Sequence, residues 1–144
     1  MTLPKVPSQL LWVALEDYKE TVSNSDVYII DPYYWHEPID ENCSVCLAGS
    51  VIAQSLNANK DDLVSPHNFE FETYNCLRAI DLFRQLNYVA ALKALDYNDK
   101  DASEISKHLR EHVEVPMYFQ VLVNETVVVE TLSKLIEELE KLGH

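Results

Sequence analysis

Cys43-Ser44-Val45-Cys46 places two thiols at a spacing that can do chemistry. Such a pair serves thiol redox when a helix N-terminus stabilises one thiolate, and it supplies half of a zinc site when a second ligand pair lies elsewhere in the chain. Asp40 and Glu41 just upstream disfavour a thiolate, no lysine or arginine stands nearby, and the flanking pattern is not of thioredoxin type. For zinc, the only completing ligands are His36, His67 and Cys76, which are scattered rather than paired. The pair therefore reads first as two small buried residues. A thiol or zinc site on Cys43, Cys46, His36 and Cys76 is the alternative.

His108-Leu-Arg-Glu-His112 matches the H-x-x-E-H string of inverted zinc peptidases, with two imidazoles one helical turn apart. No third ligand is evident and Arg110 adds unwanted positive charge, so a solvated helix face explains the string better. The only glycines are Gly49 and Gly143, which leaves no Gly-x-Gly or Walker-type loop to cradle a phosphate. Nucleotide-dependent mechanisms of the common kinds are excluded. No nucleophile elbow is present and no carboxylate pair stands out among the 24 acids. The expectation is a protein without a cofactor that is not an enzyme.

Against those 24 acids stand 11 bases, a formal charge of -13. That charge repels nucleic-acid phosphate and attracts basic protein surfaces. It is unevenly placed. Residues 20–77 hold ten acids and Lys60 as the one base, whereas residues 78–144 hold twelve acids and eight bases. The same acidic half contains the aromatic cluster Tyr33-Tyr34-Trp35, followed by His36. Large rings in an extended segment ordinarily cover a core edge. Exposed among acids, they form a binding surface instead, and Tyr33, Tyr34, Trp35, His36, Glu37, Asp40 and Glu41 are the candidate partner-binding residues. A small-molecule pocket beside Trp35 and His36 stays open as a third reading.

The element that would position these residues is the uncharged stretch 42–56, apolar or small on every side, which predicts a buried helix capped by Asn42 and running over about 42–57. Gly49 on its small-residue face would let a neighbouring helix approach. Around it the periodicity predicts a helix from Ser8 to about Thr21 whose apolar residues Leu11, Leu15 and Tyr18, with Trp12 alongside, fall at 3.6-residue spacing. A helix from about Phe69 carries Phe71, Tyr74, Leu77, Ile80 and Phe83, and another covers about 103–112. A final helix, capped by Asn124, ends at Gly143. Residues 27–30 and 118–123 are candidates for a minor strand pair. The expected fold is mainly α, a single domain over 1–144 of about five helices around 42–57. About fifteen uncharged residues fall short of the roughly 20 needed to span a bilayer. With three cysteines and no signal-type start, the reading is a cytoplasmic protein with reduced thiols. Homo-oligomerisation stays open.

The region from Tyr28 to about Leu95 resembles a group of short, uncharacterised proteins of bacteriophages and some bacteria. The shared features are Trp35-His36, then Cys43-x-Val45-Cys46-Leu47-Ala48-Gly49-Ser50-Val51-Ile52-Ala53, then Leu77-Arg78-Ala79-Ile80-Asp81. The resemblance implies a small cytoplasmic protein, phage-encoded in some of its settings, and transfers no catalytic residue. Combined with the charge, it leads to the expectation of an acidic interaction module that occupies the phosphate-binding channel of a host nucleic-acid-binding protein.

Overall fold

A computed structural model of the chain describes residues 2–62 and 64–144. These residues form seven α-helices and a three-stranded sheet, so the protein is mainly helical with a minor β element. The helices are α1 (Pro7–Ser23), α2 (Leu47–Gln54), α3 (Phe71–Arg84), α4 (Tyr88–Ala94), α5 (Asp99–His112), α6 (Tyr118–Val121) and α7 (Glu125–Lys141). The strands are β1 (Tyr28–Ile30), β2 (Glu37–Ile39) and β3 (Asn42–Val45), in spatial order β1-β3-β2.

The expected central helix divides in two. Asn42 does not cap it: Asn42–Val45 is a strand, pairing parallel with β1 (Tyr28 opposite Cys43) and antiparallel with β2 (Glu37 opposite Ser44). The helix starts at Leu47 with Cys46 as its N-cap and is about 12 Å long rather than about 22 Å. Asn42-Cys-Ser-Val has no charge in either conformation, and the partner strands that decide between helix and strand lie upstream. Asp40 and Glu41, expected beside a helix N-terminus, form the two-residue turn of the β2-β3 hairpin, with Asp40 in the left-handed region (φ 52) that an aspartate tolerates. Pro38 faces Cys43, whose amide donates to Val27 on the other side, so its missing N–H falls on the free edge where no ladder bond is lost.

Residues 118–123, expected to pair with 27–30, hold no strand: Tyr118–Val121 form the short helix α6, which ends in a left-handed Leu122 (φ 57). The number of helices exceeds the expected five because two short ones, the seven-residue α4 and the four-residue α6, stand apart from the longer helices. Asn87, Asn98 and Asn124 each accept an amide from the first turn of the helix that follows, which is why α4, α5 and α7 start where they do. The expected start of α5 at Ser103 moves to Asp99 for that reason, whereas the Asn124 cap was read correctly. Ser8 does not cap α1. It is buried in the first turn behind Pro7, whose fixed φ suits that position.

One core joins the elements. Leu10, Leu11, Ala14, Leu15 and Tyr18 of α1 pack between α2 and α7, against Leu47, Val51 and Ile52 on one side and Leu132, Leu135 and Leu139 on the other. Leu77, Ile80 and Phe83 bring α3 into the same core, against α2 and α1. Trp12, alongside that apolar face, is 54% exposed. No helix among the described residues is long and apolar enough to cross a membrane.

Candidate functional site

The segment after β1 is pinned at both ends by backbone hydrogen bonds to the β3-α2 joint. The Asp31 amide donates to Val45 O at 2.8 Å and the Cys46 amide to Tyr34 O at 2.6 Å. Between them the Tyr33 amide donates to Asp31 Oδ1 at 3.0 Å, an Asx turn that Asp-Pro favours. The turn pushes Tyr33 outward, to 83% exposure, with Tyr34 exposed beside it. Trp35 turns back and packs on Tyr74 of α3, ring centroids 5.9 Å apart and tilted by 37°. Its backbone crosses α2 where there is no side chain: a Cβ on Gly49 would lie 2.6 Å from the Trp35 carbonyl carbon and closer still to its oxygen. The neighbour that Gly49 admits is thus this strap and not a helix.

His36 is not part of the exposed surface. It is buried behind it, with Nδ1 donating to the Asp62 carbonyl at 3.0 Å and Nε2 without a hydrogen-bond partner among the described residues. The bond to a carbonyl, which only accepts, places the proton on Nδ1. Burial lowers the His36 pKa, and the bond to Asp62 opposes part of that shift. His36 thereby clasps the strap to the 57–62 loop, while Lys60 reaches the Glu41 carbonyl at 3.1 Å and holds the same loop to the hairpin turn.

The acids around the strap are unneutralised. Among the described residues, none of Glu37, Asp40, Glu41, Asp61, Asp62 and Glu70 forms an ion pair, because the lysines and arginines that do pair join acids elsewhere: Lys5 with Glu72 and Asp96, Lys19 with Glu16, Lys93 with Asp99, Lys134 and Lys141 with α7. Arg84 is spent internally, on Asp81 at 3.0 Å and on the Gln120 carbonyl at 2.7 Å.

The aromatic surface extends beyond the residues picked from the sequence. Phe71, expected inward, is 78% exposed, and with Pro66, His67, Phe69 and Tyr74 it lines a surface groove of about 380 Å³. A second groove, of about 370 Å³, is lined by Pro32, Tyr33, Trp35 and Arg84. Tyr74 lines the first groove and Trp35, packed against it, lines the second. The signal for Phe71 was present in the spacing. Positions 71, 74 and 78 run down one side of the helix and end in the exposed Arg78, whereas 77, 80 and 83 run down the buried one.

The cysteines take no part in this surface. Cys43 lies in β3, Cys46 caps α2, and Cys76 on α3 contacts the Pro4 carbonyl at 3.7 Å; all three are buried and free. Burial pushes the Cys46 thiol up to about 12, with the Gly49 amide opposing it, and burial raises Cys43 and Cys76 as well. Among the described residues no three His, Cys, Asp or Glu side chains are grouped to hold a metal ion, so the structure does not assemble Cys43, Cys46, His36 and Cys76 into a site. His67 faces the aromatic groove instead. His108 and His112 stack at 4.0 Å, and His108 Nε2 meets Glu138 of α7 at 3.3 Å, a helix-to-helix contact.

Fold and surface together define a mainly helical domain with a small mixed sheet that carries an aromatic, acid-flanked face. No protein-family model matches the chain, and comparisons with curated proteins and with solved structures give no match.

Proposed function

We propose that this protein is a non-enzymatic interaction module that docks a basic protein surface on the face formed by Tyr33, Tyr34, Trp35, Glu37, Asp40 and Glu41, with His36 fixing the strap from behind. The observation that carries this reading is the coincidence of exposed rings with acids that have no ion pair of their own. Exposed aromatics supply desolvated contact area, and unpaired acids supply attraction and orientation. A surface that binds nucleic-acid phosphate has the complementary charge, which favours a nucleic-acid-binding protein as the partner and a mode of action in which this chain occupies its phosphate channel. The resemblance to short phage proteins adds a setting for such an inhibitor.

The test is binding to a panel of purified nucleic-acid-binding proteins over a salt series. Binding should weaken steeply with salt and be competed by DNA, and Tyr33→Ala should weaken it by roughly tenfold, the scale of a hot-spot ring. Binding that is indifferent to both salt and Tyr33→Ala, or none across the panel at low salt, refutes the proposal.

A further inference from the structure

Among the described residues, His36 Nε2 is the one buried side-chain nitrogen or oxygen without a hydrogen-bond partner. The residue is 4% exposed, and its other ring nitrogen already donates to the Asp62 carbonyl. The neutral ring bears this arrangement, since an unused lone pair carries no charge. An imidazolium would not: it adds a second N–H with no acceptor and holds a charge away from water. The surrounding groups offer little relief. In the 57–62 loop the Asp62 carboxylate favours the cation, but it is exposed and accepts from the Asn59 amide at 2.8 Å. Asp61 and Lys60 of that loop, opposite in sign, and Glu37 next in the chain lie about Cys43 of β3, and among the described residues none of the four hydrogen-bonds to the ring. Cys46 and α2 bring no charge; on α3, Tyr74 packs on Trp35, and Asp81 and Arg84 pair with each other.

Relief comes from movement of the strap. Trp35 is the one side chain of residues 31–36 packed against the hydrophobic core. Besides the His36 clasp, the strap is held by the Asp31 and Cys46 amide bonds and by the contact of Trp35 with Tyr74. A surface segment with so little buried apolar area opens at a lower free energy than the helices unfold. We propose that His36 is a proton-operated latch: a proton taken from solvent by Nε2 breaks the clasp to Asp62, lifts residues 31–36 off α2 and dismantles the Tyr33-Tyr34 face while the helices stay folded. The latch deepens the docking reading above by adding its regulation, and it rests on that reading only for the consequence to a partner.

The experiment is native-state amide hydrogen exchange of the whole chain, expressed as protection factors, between pH 7.5 and pH 5. The Asp31 and Cys46 amides exchange only when the strap lifts. Their protection should lie well below that of the Leu132 and Leu135 amides of α7 and depend little on low urea, the mark of a local opening. Burial keeps the closed ring below the usual 6.5, so the open strap takes the proton first. Strap protection should therefore fall from pH 6.5 downward, by up to about tenfold per pH unit for one proton, and level off where the His36 ring resonances titrate. His36→Gln should abolish the fall, and His67→Gln, at an exposed imidazole, should leave it. Equal protection and equal urea dependence of the strap and α7 amides overturn the latch, because the strap then opens only with the whole fold. A fall retained in His36→Gln, or one that begins only after the His36 ring has titrated, also overturns it. A panel protein that docks on the closed strap should raise Asp31 and Cys46 protection by mass action; one that binds and leaves it unchanged overturns the regulatory role. If no panel protein binds, the docking reading fails by its own test, and the free chain still decides the latch.

Discussion

Gly49 of α2 and the carbonyl of Trp35 occupy adjoining space, so that the strap lies where any other residue would carry its side chain, and Val45 Cβ closes the position from the other side at 2.9 Å from an added Cβ. Alanine in place of a helical glycine ordinarily stabilises by about 1 kcal/mol. Here the new methyl would push against backbone, which has no rotamer to yield. Gly49→Ala should therefore destabilise, by about 1–3 kcal/mol as overpacked positions do, and lower Tm by several degrees at about 2–4 °C per kcal/mol. Thermal unfolding of the two proteins decides it; a variant as stable as the parent would mean that the strap is not seated on α2.

That contact also marks the limit of what was legible in the sequence. Asn124 and the apolar spacing through Leu132, Leu135 and Leu139 are local signals, read within a few residues, and α7 is where they placed it. Asn42–Val45 is different. Its type depends on pairing with Tyr28–Ile30 and Glu37–Ile39, and an uncharged Cys-Ser-Val run satisfies either a buried helix or a central strand. The consequence reached the site. With the helix starting five residues late, Asp40 and Glu41 became a hairpin turn, and Gly49 became the seat of the strap. Tyr33 was legible as a surface candidate because its ring lies in an acid-rich stretch, whereas Phe71 was hidden by a one-step error in the facing of α3.

His36 predicts an acid-side loss of stability. Burial holds its pKa below the usual 6.5, so the unfolded chain binds the proton more readily than the folded one. Its neutral state supports the fold fully above pH 6.5, and that support is lost as pH falls through the lowered folded-state value. Urea unfolding at pH 7.5 and at successively lower pH should show this decline, and His36→Gln, which does not titrate, should flatten it. An identical pH profile in the variant would remove His36 as the source.

Arg84 ties α3 to α6 through its bonds to Asp81 and the Gln120 carbonyl while being only 10% exposed in its side chain. Arg84→Met would leave the Gln120 carbonyl without this donor and Asp81, among the described residues, with Gln85 as its remaining side-chain partner at 2.8 Å. The expected cost is about 1–2 kcal/mol in urea unfolding, the scale of losing a charge-assisted hydrogen bond whose partners are only part-buried. Arg84→Lys should recover part of this, since an ammonium keeps the charge but cannot serve both partners from one plane. Full recovery by lysine would show that charge alone, without the fork, holds α6 in place.

The cysteines give the direct test of the alternative chemistry. Cys46, pushed up to about 12 by burial, has a thiolate fraction of about one in ten thousand at pH 8. Cys43 and Cys76 are raised in the same direction and buried as well. A disulfide reagent at pH 8 should therefore find no fast thiol in the native protein and three in the urea-unfolded one, and a zinc series should leave Tm unchanged in chelator-treated protein. Two thiols reacting within seconds in the native state would restore a redox role for Cys43 and Cys46. A Tm rising with zinc, and lost in Cys43→Ser or Cys46→Ser, would restore the metal reading, since a ligand that binds only the folded state raises its stability by mass action.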